Sequence, residues 1–236
     1  MVLITGGLFL FNLLCAIAPC DPKLDLPEVR VRKSFQEDQL DQSPRVITTN
    51  GGLEGYIMYS TEARPIRAFE GIPYGEPPLA QLRFRSPVRK APWLGMKLAK
   101  KLRPECLQLS PAKLLRVVGN EDCLYLNVYT RQLPHFTLSE RKLVPVIFWI
   151  HGGSYYFGNG GDYGPAYLLN HDVVLVTFNY RVGVLGFMST GDSASPGNYG
   201  LKDQSLALKW VSENIKYFVV QPSHTGHINL LSKPSD

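Results

Sequence analysis

The chain has 236 residues, of which 44% are apolar and 19% charged, and its net charge is +5. This length and composition predict one large globular domain, or two small ones at most, and exclude a disordered class. Positive charge is concentrated between Arg64 and Arg116, but no nucleic-acid-binding motif accompanies it. We therefore predict a solvated basic face and no nucleic-acid partner.

The amino terminus has the pattern of a secretory signal. It is apolar from Val2 to Leu14, and the Ala-Ile-Ala sequence at 16–18 matches a small-residue cleavage site. The apolar run is too short to span a bilayer, and no other stretch approaches that length. We predict a signal peptide over 1–18, a mobile charged lead-in over 19–45, no membrane anchor, and a secreted protein.

Two cysteines lie in the body of the chain, Cys106 and Cys123, whereas Cys15 and Cys20 belong to the amino-terminal region. In an oxidising compartment, Cys106 and Cys123 would close a loop of about 18 residues. Such a disulfide contributes ~3 kcal/mol in the chain-entropy model. The alternative is a pair of buried free thiols.

The hydrophobic pattern predicts, in chain order, a hairpin, a loop, three strands and a helix. An Asn-Gly pair at 50–51 is a strong hairpin signal, and five prolines within 69–93 indicate a loop. Two of the predicted strands are apolar on both faces, as in a helix-covered sheet. The elements are hairpin 46–60, loop 69–93, strands 122–130, 144–150 and 172–180, and helix 201–218 with Leu201, Leu208, Val211, Ile215 and Phe218 on one stripe. This order predicts an α/β architecture with a mostly parallel buried sheet, packing helices and an amino-terminal β-hairpin.

The stretch "IHGGSYYFGNG" at 150–160 carries the chemical signal. A buried strand runs directly into consecutive glycines, which let the backbone turn its N–H groups toward one point. Two N–H groups close to a developing oxyanion are what acyl transfer requires. A Gly-Gly pair after a strand is equally compatible with a simple tight turn.

Five stretches together resemble the type-B carboxylesterase/cholinesterase family: "FEGIPYGEPP" with "LRF", "EDCLYLNVY", "HGGSYYFG", "FNYRVGVLGF" and "NYGLKDQSLALKWVSENI". They occur in family order between Val46 and Phe218. The resemblance implies an α/β-hydrolase fold and hydrolysis of carboxylic esters through an acyl-serine.

The resemblance also implies roles for particular residues. Gly153 and Ser154 match the two oxyanion-hole donors of this loop, and Gly152 supports the turn. Cys106 and Cys123 match the first disulfide of the family.

Ser193, in "GDSASPG", is the serine closest in pattern to a nucleophile elbow. The elbow needs a strand before the serine, a helix directly after it and small residues on both sides. Ser195 stands where the second glycine belongs, Pro196 follows, and no strand precedes. We predict that Ser193 is not a nucleophile.

The resemblance ends at Phe218, so we divide the rest of the chain into a partial carboxylesterase domain over 46–218 and an unrelated tail over 219–236. The family's elbow serine, Glu and His follow this point, so the fold is expected to be truncated before the elbow, with no catalytic residue. We predict no cofactor and no metal, because two histidines in the tail, His224 and His227, are too few ligands.

Three remaining polar residues have structural interpretations. We expect His151 to pack or organise the loop, and Asp203 and Glu213 to form structural or surface ion pairs. The functional hypothesis is a secreted protein of carboxylesterase lineage, acting on ester substrates by family, that is inactive as given. The alternatives are a non-catalytic binding protein with a protein partner, and a truncated form that does not fold because its buried strands lack neighbours.

Overall fold

A computed structural model describes residues 43–111, 116–133 and 144–219, and the backbone of 228–232. The predicted signal peptide, most of the lead-in, and His224 and His227 lie outside the described residues. The described strands are β1 Arg45–Thr48, β2 Gly51–Glu54, β3 Tyr56–Tyr59, β4 Pro65–Pro73, β5 Met96–Leu98, β6 Gln108–Ser110, β7 Arg116–Val118, β8 Tyr125–Thr130, β9 Val146–Ile150, β10 Val174–Phe178 and β11 Ile228–Ser232. The described α-helices are α1 Gly183–Phe187 and α2 Tyr199–Asn214, and 3₁₀ turns cover Ala80–Leu82, Leu168–Asn170 and Ile215–Tyr217.

The predicted amino-terminal hairpin is confirmed over 45–54 as the antiparallel pair β1–β2, whereas the rest of the predicted range forms β3 and pairs with β4. The Thr48 hydroxyl oxygen accepts the N–H groups of Asn50 and Gly51, both at 3.2 Å. Gly51 has φ +143°, and a Cβ there would lie 2.5 Å from the Trp93 indole nitrogen. Only glycine therefore fits this turn. β5 joins β2 in parallel to complete a three-stranded sheet.

The main sheet has six strands in the order β11-β9-β10-β8-β4-β3. β11, β9 and β10 pair in parallel, whereas β10–β8, β8–β4 and β4–β3 pair antiparallel. The three predicted strands are β8, β9 and β10, but the sheet is mixed and not mostly parallel. An apolar run reveals burial on both faces and says nothing about the direction of the neighbouring strand.

The prolines of 69–93 predicted a loop, and that prediction was wrong for the first five residues. Phe69 and Ile72 are fully buried in β4, and the register shifts between them around Gly71, whose φ is +76°. This bulge absorbs an extra residue. β3 pairs with only the first residues of β4 and does not reach Pro73. Proline has no N–H group, and its absence is tolerated here because no β3 residue pairs with Pro73.

β9 has a neighbour on each side, contrary to the expectation of a missing strand. Ile228–Ser232 pairs in parallel with Val146–Ile150 through its backbone, and β10 lies on the other side. Part of the predicted tail therefore belongs to the sheet.

Apolar side chains pack on both faces of the sheet. One face buries Phe148 and Phe178 against α2, and the other buries Leu175 against Tyr129.

No helix within the described residues is long and apolar enough to cross a membrane.

Helix α2 shows the predicted periodicity with a shifted face. Its buried stripe, including the 3₁₀ turn that follows, comprises Asp203, Ala207, Trp210, Val211, Asn214, Ile215 and Phe218. Leu201, expected on the stripe, is 40% exposed. Asp203, although charged, is buried on the first turns of the helix because it forms an ion pair with a buried cation.

That cation is Arg181, which follows β10. Its guanidinium donates to both carboxylate oxygens of Asp203 at 2.8 Å, and its backbone N–H donates to one of them at 3.0 Å. The exposed fractions are 4% for the Arg181 side chain and 0% for Asp203. Glu213 instead pairs with Arg89 at the surface. Both acids are thus in ion pairs, as the sequence predicted.

Replacing Asp203 with Asn leaves the Arg181 charge unpaired in the interior. We expect the free energy of unfolding, measured by urea denaturation, to fall by about 3–5 kcal/mol. Glu213→Gln breaks the solvent-accessible pair and serves as the control, with an expected loss of at most about 1 kcal/mol. Equal losses in the two variants would contradict this assignment.

Candidate functional site

The candidate site lies where β9 and β10 end. Because these strands are parallel neighbours, the segments that follow them emerge at the same edge of the sheet. The first is the glycine-rich loop, residues 151–160, and the second is the Asn179–Val182 turn. Ligand sites in α/β sheets occur at the carboxyl ends of strands.

The backbone of the glycine-rich loop is strained. Gly153, Ser154 and Tyr155 have φ values of +113°, +52° and +62° in succession. A Cβ on residue 153 would lie 2.0 Å from the Phe157 carbonyl oxygen, so glycine is required there. The left-handed conformation costs about 1–2 kcal/mol for each of the two non-glycine residues. Strain of this kind persists where the surroundings enforce it and is typical of functional sites.

The strained turn leaves backbone donors unused. The Gly153 carbonyl accepts the N–H groups of Tyr156 at 2.9 Å and Phe157 at 3.3 Å. The N–H groups of Gly153 and Ser154 themselves donate to no acceptor within the described part of the chain. The predicted site residues Gly152, Gly153 and Ser154 thus lie in a tight turn with adjacent free donors, and the N–H group of Tyr155 likewise has no acceptor among the described residues.

His151 and Tyr180 hold the entrance of the loop. Their rings stack with centroids 4.2 Å apart, and the Tyr180 hydroxyl donates to the His151 carbonyl oxygen at 2.8 Å. The His151 Nδ1 lies 3.0 Å from the Gly152 carbonyl oxygen, and its Nε2 is buried without a partner in the described residues. Nδ1 is therefore the protonated nitrogen that donates to Gly152. His151 thus organises the loop, as expected.

Burial lowers the pKa of His151 below its ordinary value of 6.5, against the opposing effects of the Gly152 carbonyl and Asp162. The imidazole is accordingly neutral at pH 7. A neutral ring fits its position, because protonation would place a charge in a buried stack with Tyr180.

Two amide side chains that the sequence analysis missed hold the far end of the loop. Gln108 bonds both the N–H and the carbonyl of Gly158. Asn179 accepts the Gly160 N–H at 2.9 Å and donates to the Pro104 carbonyl at 3.0 Å. The position of Asn179 at the end of β10 was a usable signal, whereas nothing near Gln108 in sequence pointed to the loop.

The segment after β9 also exposes a series of aromatic side chains, three of which, at 155–157, directly follow Ser154 in the chain. With their exposed fractions, these are Tyr155 (49%), Tyr156 (72%), Phe157 (39%), Tyr163 (37%) and Tyr167 (78%). The Tyr155 ring packs at 4.9 Å from Phe187 of α1.

Ser193 lies in an exposed loop between α1 and α2. The neighbouring Asp192 carboxylate accepts the Thr190 hydroxyl at 2.6 Å and the Ala194 N–H at 2.9 Å. No strand leads into Ser193, so the geometry is not that of an elbow. Among the side chains that the structure describes, no serine hydroxyl is hydrogen-bonded to a histidine.

The predicted disulfide between Cys106 and Cys123 is formed, and both residues are buried. No cluster of three or more metal-ligating side chains occurs in the described ranges.

Gly153→Ala is expected to open the glycine-rich loop, because its φ of +113° and the contact with the Phe157 carbonyl leave no room for Cβ. The three exposed aromatic residues at 155–157 are chymotrypsin sites. We expect cleavage there to accelerate at least about tenfold, as followed by mass spectrometry.

Gly164→Ala is the matched control, since a Cβ at residue 164 meets nothing within 4 Å. Its cleavage rate should equal that of the parent protein. Parental resistance in Gly153→Ala would show that the turn is not tight.

His151 should contribute a pH dependence to stability. The unfolded chain takes up a proton near pH 6.5, while the folded chain keeps this imidazole neutral to lower pH. Stability is therefore complete above pH 6.5 and falls below it, by up to about 1.4 kcal/mol per pH unit.

In His151→Phe the ring remains but the titration is lost, so the slope of unfolding free energy against pH should decrease below pH 6.5. An identical slope in His151→Phe and the parent protein would exclude His151 as the source.

Comparison with known proteins gives a consistent result. The profile of the Carboxylesterase family matches residues 42–225. Esterase FE4 of Myzus persicae is 48% identical over 182 residues, covering 77% of this chain and 32% of that protein. Venom carboxylesterase-6 of Apis mellifera is 40% identical over 196 residues, covering 82% of this chain and 34% of that protein.

A solved structure gives the same answer for the fold. The crystal structure of juvenile hormone esterase from Manduca sexta, with OTFP covalently attached, superimposes on this chain with a TM-score of 0.70 at 32% sequence identity. The match covers 81% of this chain and 36% of the esterase chain. The chain spans about a third of the length of the relatives it matches. It belongs to the carboxylesterase family and has the α/β-hydrolase fold.

Proposed function

We propose that this chain forms the oxyanion-stabilising portion of a carboxylic ester hydrolase and does not turn over esters by itself. The observation that carries the proposal is the strained turn at 153–155, where the N–H groups of Gly153, Ser154 and Tyr155 donate to no acceptor within the described residues. Attack on an ester carbonyl places negative charge on its oxygen. Preorganised backbone donors stabilise that charge without reorganising, and each is worth about 10²–10³ in kcat.

The missing part of the mechanism is the nucleophile. The 236 residues contain no Gly-x-Ser-x-Gly sequence, and among the described residues Ser193 has neither a preceding strand nor a hydrogen-bonded base. Loss of the serine or histidine from a triad enzyme lowers turnover by about 10⁶. In this proposal, Gly153 and Ser154 would stabilise a charge that none of the described side chains generates.

The family suggests carboxylic esters as the substrate class. The residues beside the donors favour esters with an apolar portion. The aromatic side chains at 155–157 lie next to the free donors and offer apolar surface. We also propose that the protein is secreted. The signal-like amino terminus, the Cys106–Cys123 disulfide and a venom carboxylesterase among the relatives support that location.

The purified protein is expected to show no hydrolysis of p-nitrophenyl acetate above buffer. It should also give no mass increase with a fluorophosphonate, because the phosphonate needs an activated serine. A competent serine esterase is the positive control, and Ser193→Ala is the matched variant. Turnover that an organophosphate abolishes, or an adduct on any serine, would overturn the proposal.

A non-catalytic binding protein is the second candidate, favoured by the exposed aromatic residues. Tyr156 and Tyr167 are 72% and 78% exposed, and tyrosine is enriched at protein interfaces. A partner retained from extracellular fluid by the parent but lost in Tyr156→Ser and Tyr167→Ser would support this candidate. Equal retention by all three proteins would count against it.

The third possibility, a chain that does not fold alone, is tested by the same urea titration used for Asp203. A cooperative transition of soluble monomer argues against it. The pairing of β9 on both sides supports an independent fold.

A further inference from the structure

We propose that Gln108 is a positioning residue that clamps the exit of the glycine-rich loop, and that the Cys106–Cys123 disulfide holds this clamp in place. The inference rests on the proposed role of the loop as an oxyanion cradle. It identifies what keeps the cradle in shape.

The Gln108 side chain acts on the loop as a neighbouring strand would. Its Oε1 accepts the Gly158 N–H at 2.6 Å, and its Nε2 donates to the Gly158 carbonyl at 3.0 Å. The remaining Nε2 hydrogen goes to the Cys106 carbonyl at 2.9 Å. Gln108 is 8% exposed, and these bonds use both of its amide hydrogens.

Gly158 is the residue through which such a clamp can close the loop. It has φ +120°, and a Cβ there would lie 2.4 Å from the His151 Nδ1 and 2.6 Å from the Gly152 carbonyl oxygen. The backbone at the loop exit therefore packs directly on the loop entrance. Holding Gly158 in place keeps the exit of the loop packed on its entrance. The free N–H donors of Gly153 and Ser154 lie between these two ends of the loop.

The strain in the loop makes an external restraint necessary. Ser154 and Tyr155 are held in left-handed conformations that each residue would leave if the turn were free. Tyr180 restrains the entrance through the His151 carbonyl. Gln108 restrains the exit from a segment 50 residues earlier in the chain.

The disulfide fixes that earlier segment. Cys106 lies two residues before Gln108, accepts one of its hydrogen bonds, and is linked to Cys123, two residues before the start of β8. Both sulfur-bearing residues are buried, with exposed fractions of 2% and 0%. Without the bond, the β6–β7 hairpin that carries Gln108 loses its cross-link to the segment before β8 and is held covalently to the main sheet by the backbone alone. The shape of the cradle thus depends on the redox state of these cysteines.

The test is hydrogen–deuterium exchange of peptides covering 153–158, which reads loop closure without any ester or activity. In the oxidised parent protein, the amides of Tyr156, Phe157 and Gly158 are hydrogen-bonded and should exchange slowly. Gln108→Ala should accelerate their exchange at least about tenfold. Gln81→Ala, at an exposed glutamine, should leave it unchanged.

Gln108→Glu provides a readout that simple loss of packing would not produce. A carboxylate still accepts the Gly158 N–H, but its second oxygen faces the Gly158 and Cys106 carbonyls and repels them. A protonated carboxyl restores a donor. The exchange rate relative to the parent protein at the same pH should be at least tenfold higher at pH 8 and return toward one at pH 5. His151, which faces Gly158, is present in both proteins, and Gln81→Glu is the control.

Reduction of the disulfide, or Cys106→Ser with Cys123→Ser, should accelerate exchange in the same peptides while peptides of β10 and α2 stay protected. Parental exchange in Gln108→Ala, or a pH-independent ratio in Gln108→Glu, would overturn the clamp. Exchange that reduction leaves unchanged would overturn the role of the disulfide. If Gln108→Ala does not fold, the pH response of Gln108→Glu decides. An ester assay that contradicts the proposed function leaves these exchange rates as they are.

Discussion

The parallel pairing of β9 with β10 is the constraint on which the candidate site depends. It brings the segments after the two strands to one edge of the sheet, so that His151 meets Tyr180 and Gly160 meets Asn179. The contact is close: a Cβ at Gly160 would lie 2.6–2.8 Å from the backbone of Phe178, the last residue of β10. A shift in the register of this pair would separate the loop from Tyr180 and Asn179.

The glycine-rich loop is a strained element held from several sides. Left-handed conformations at Ser154 and Tyr155 keep the turn tight, and no bond within the loop uses the donors at its tip. The restraint comes from Tyr180, Asn179 and Gln108, which belong to other segments. In the proposed oxyanion role, restraint from other segments would hold the backbone donors in place before charge develops, which is the property that makes such donors effective.

The scaffold around the loop is fastened by a buried ion pair. Arg181 lies three residues after the end of β10 and binds Asp203 with its guanidinium and its backbone N–H. The turn that contains Tyr180 is thereby tied to helix α2, which covers one face of the sheet. Charges this deeply buried are tolerated because each has its partner at hydrogen-bonding distance. The Arg89–Glu213 pair near the end of α2 is exposed to solvent and does not fasten the scaffold in this way.

The sequence by itself determined the family, the hairpin at Asn50-Gly51, the strands β8, β9 and β10, the disulfide, and the loop at 152–154. These features depend on local properties: the conformational freedom of glycine, the length of an apolar run, and the spacing of motifs. The tertiary structure alone decided the direction of the strands, the strand character of Phe69–Pro73, and the packing of Ile228–Ser232 on β9. It also decided that Gln108 reaches Gly158. Such contacts join residues far apart in the chain, and neither residue lies in a local sequence pattern that predicts its contact with the other.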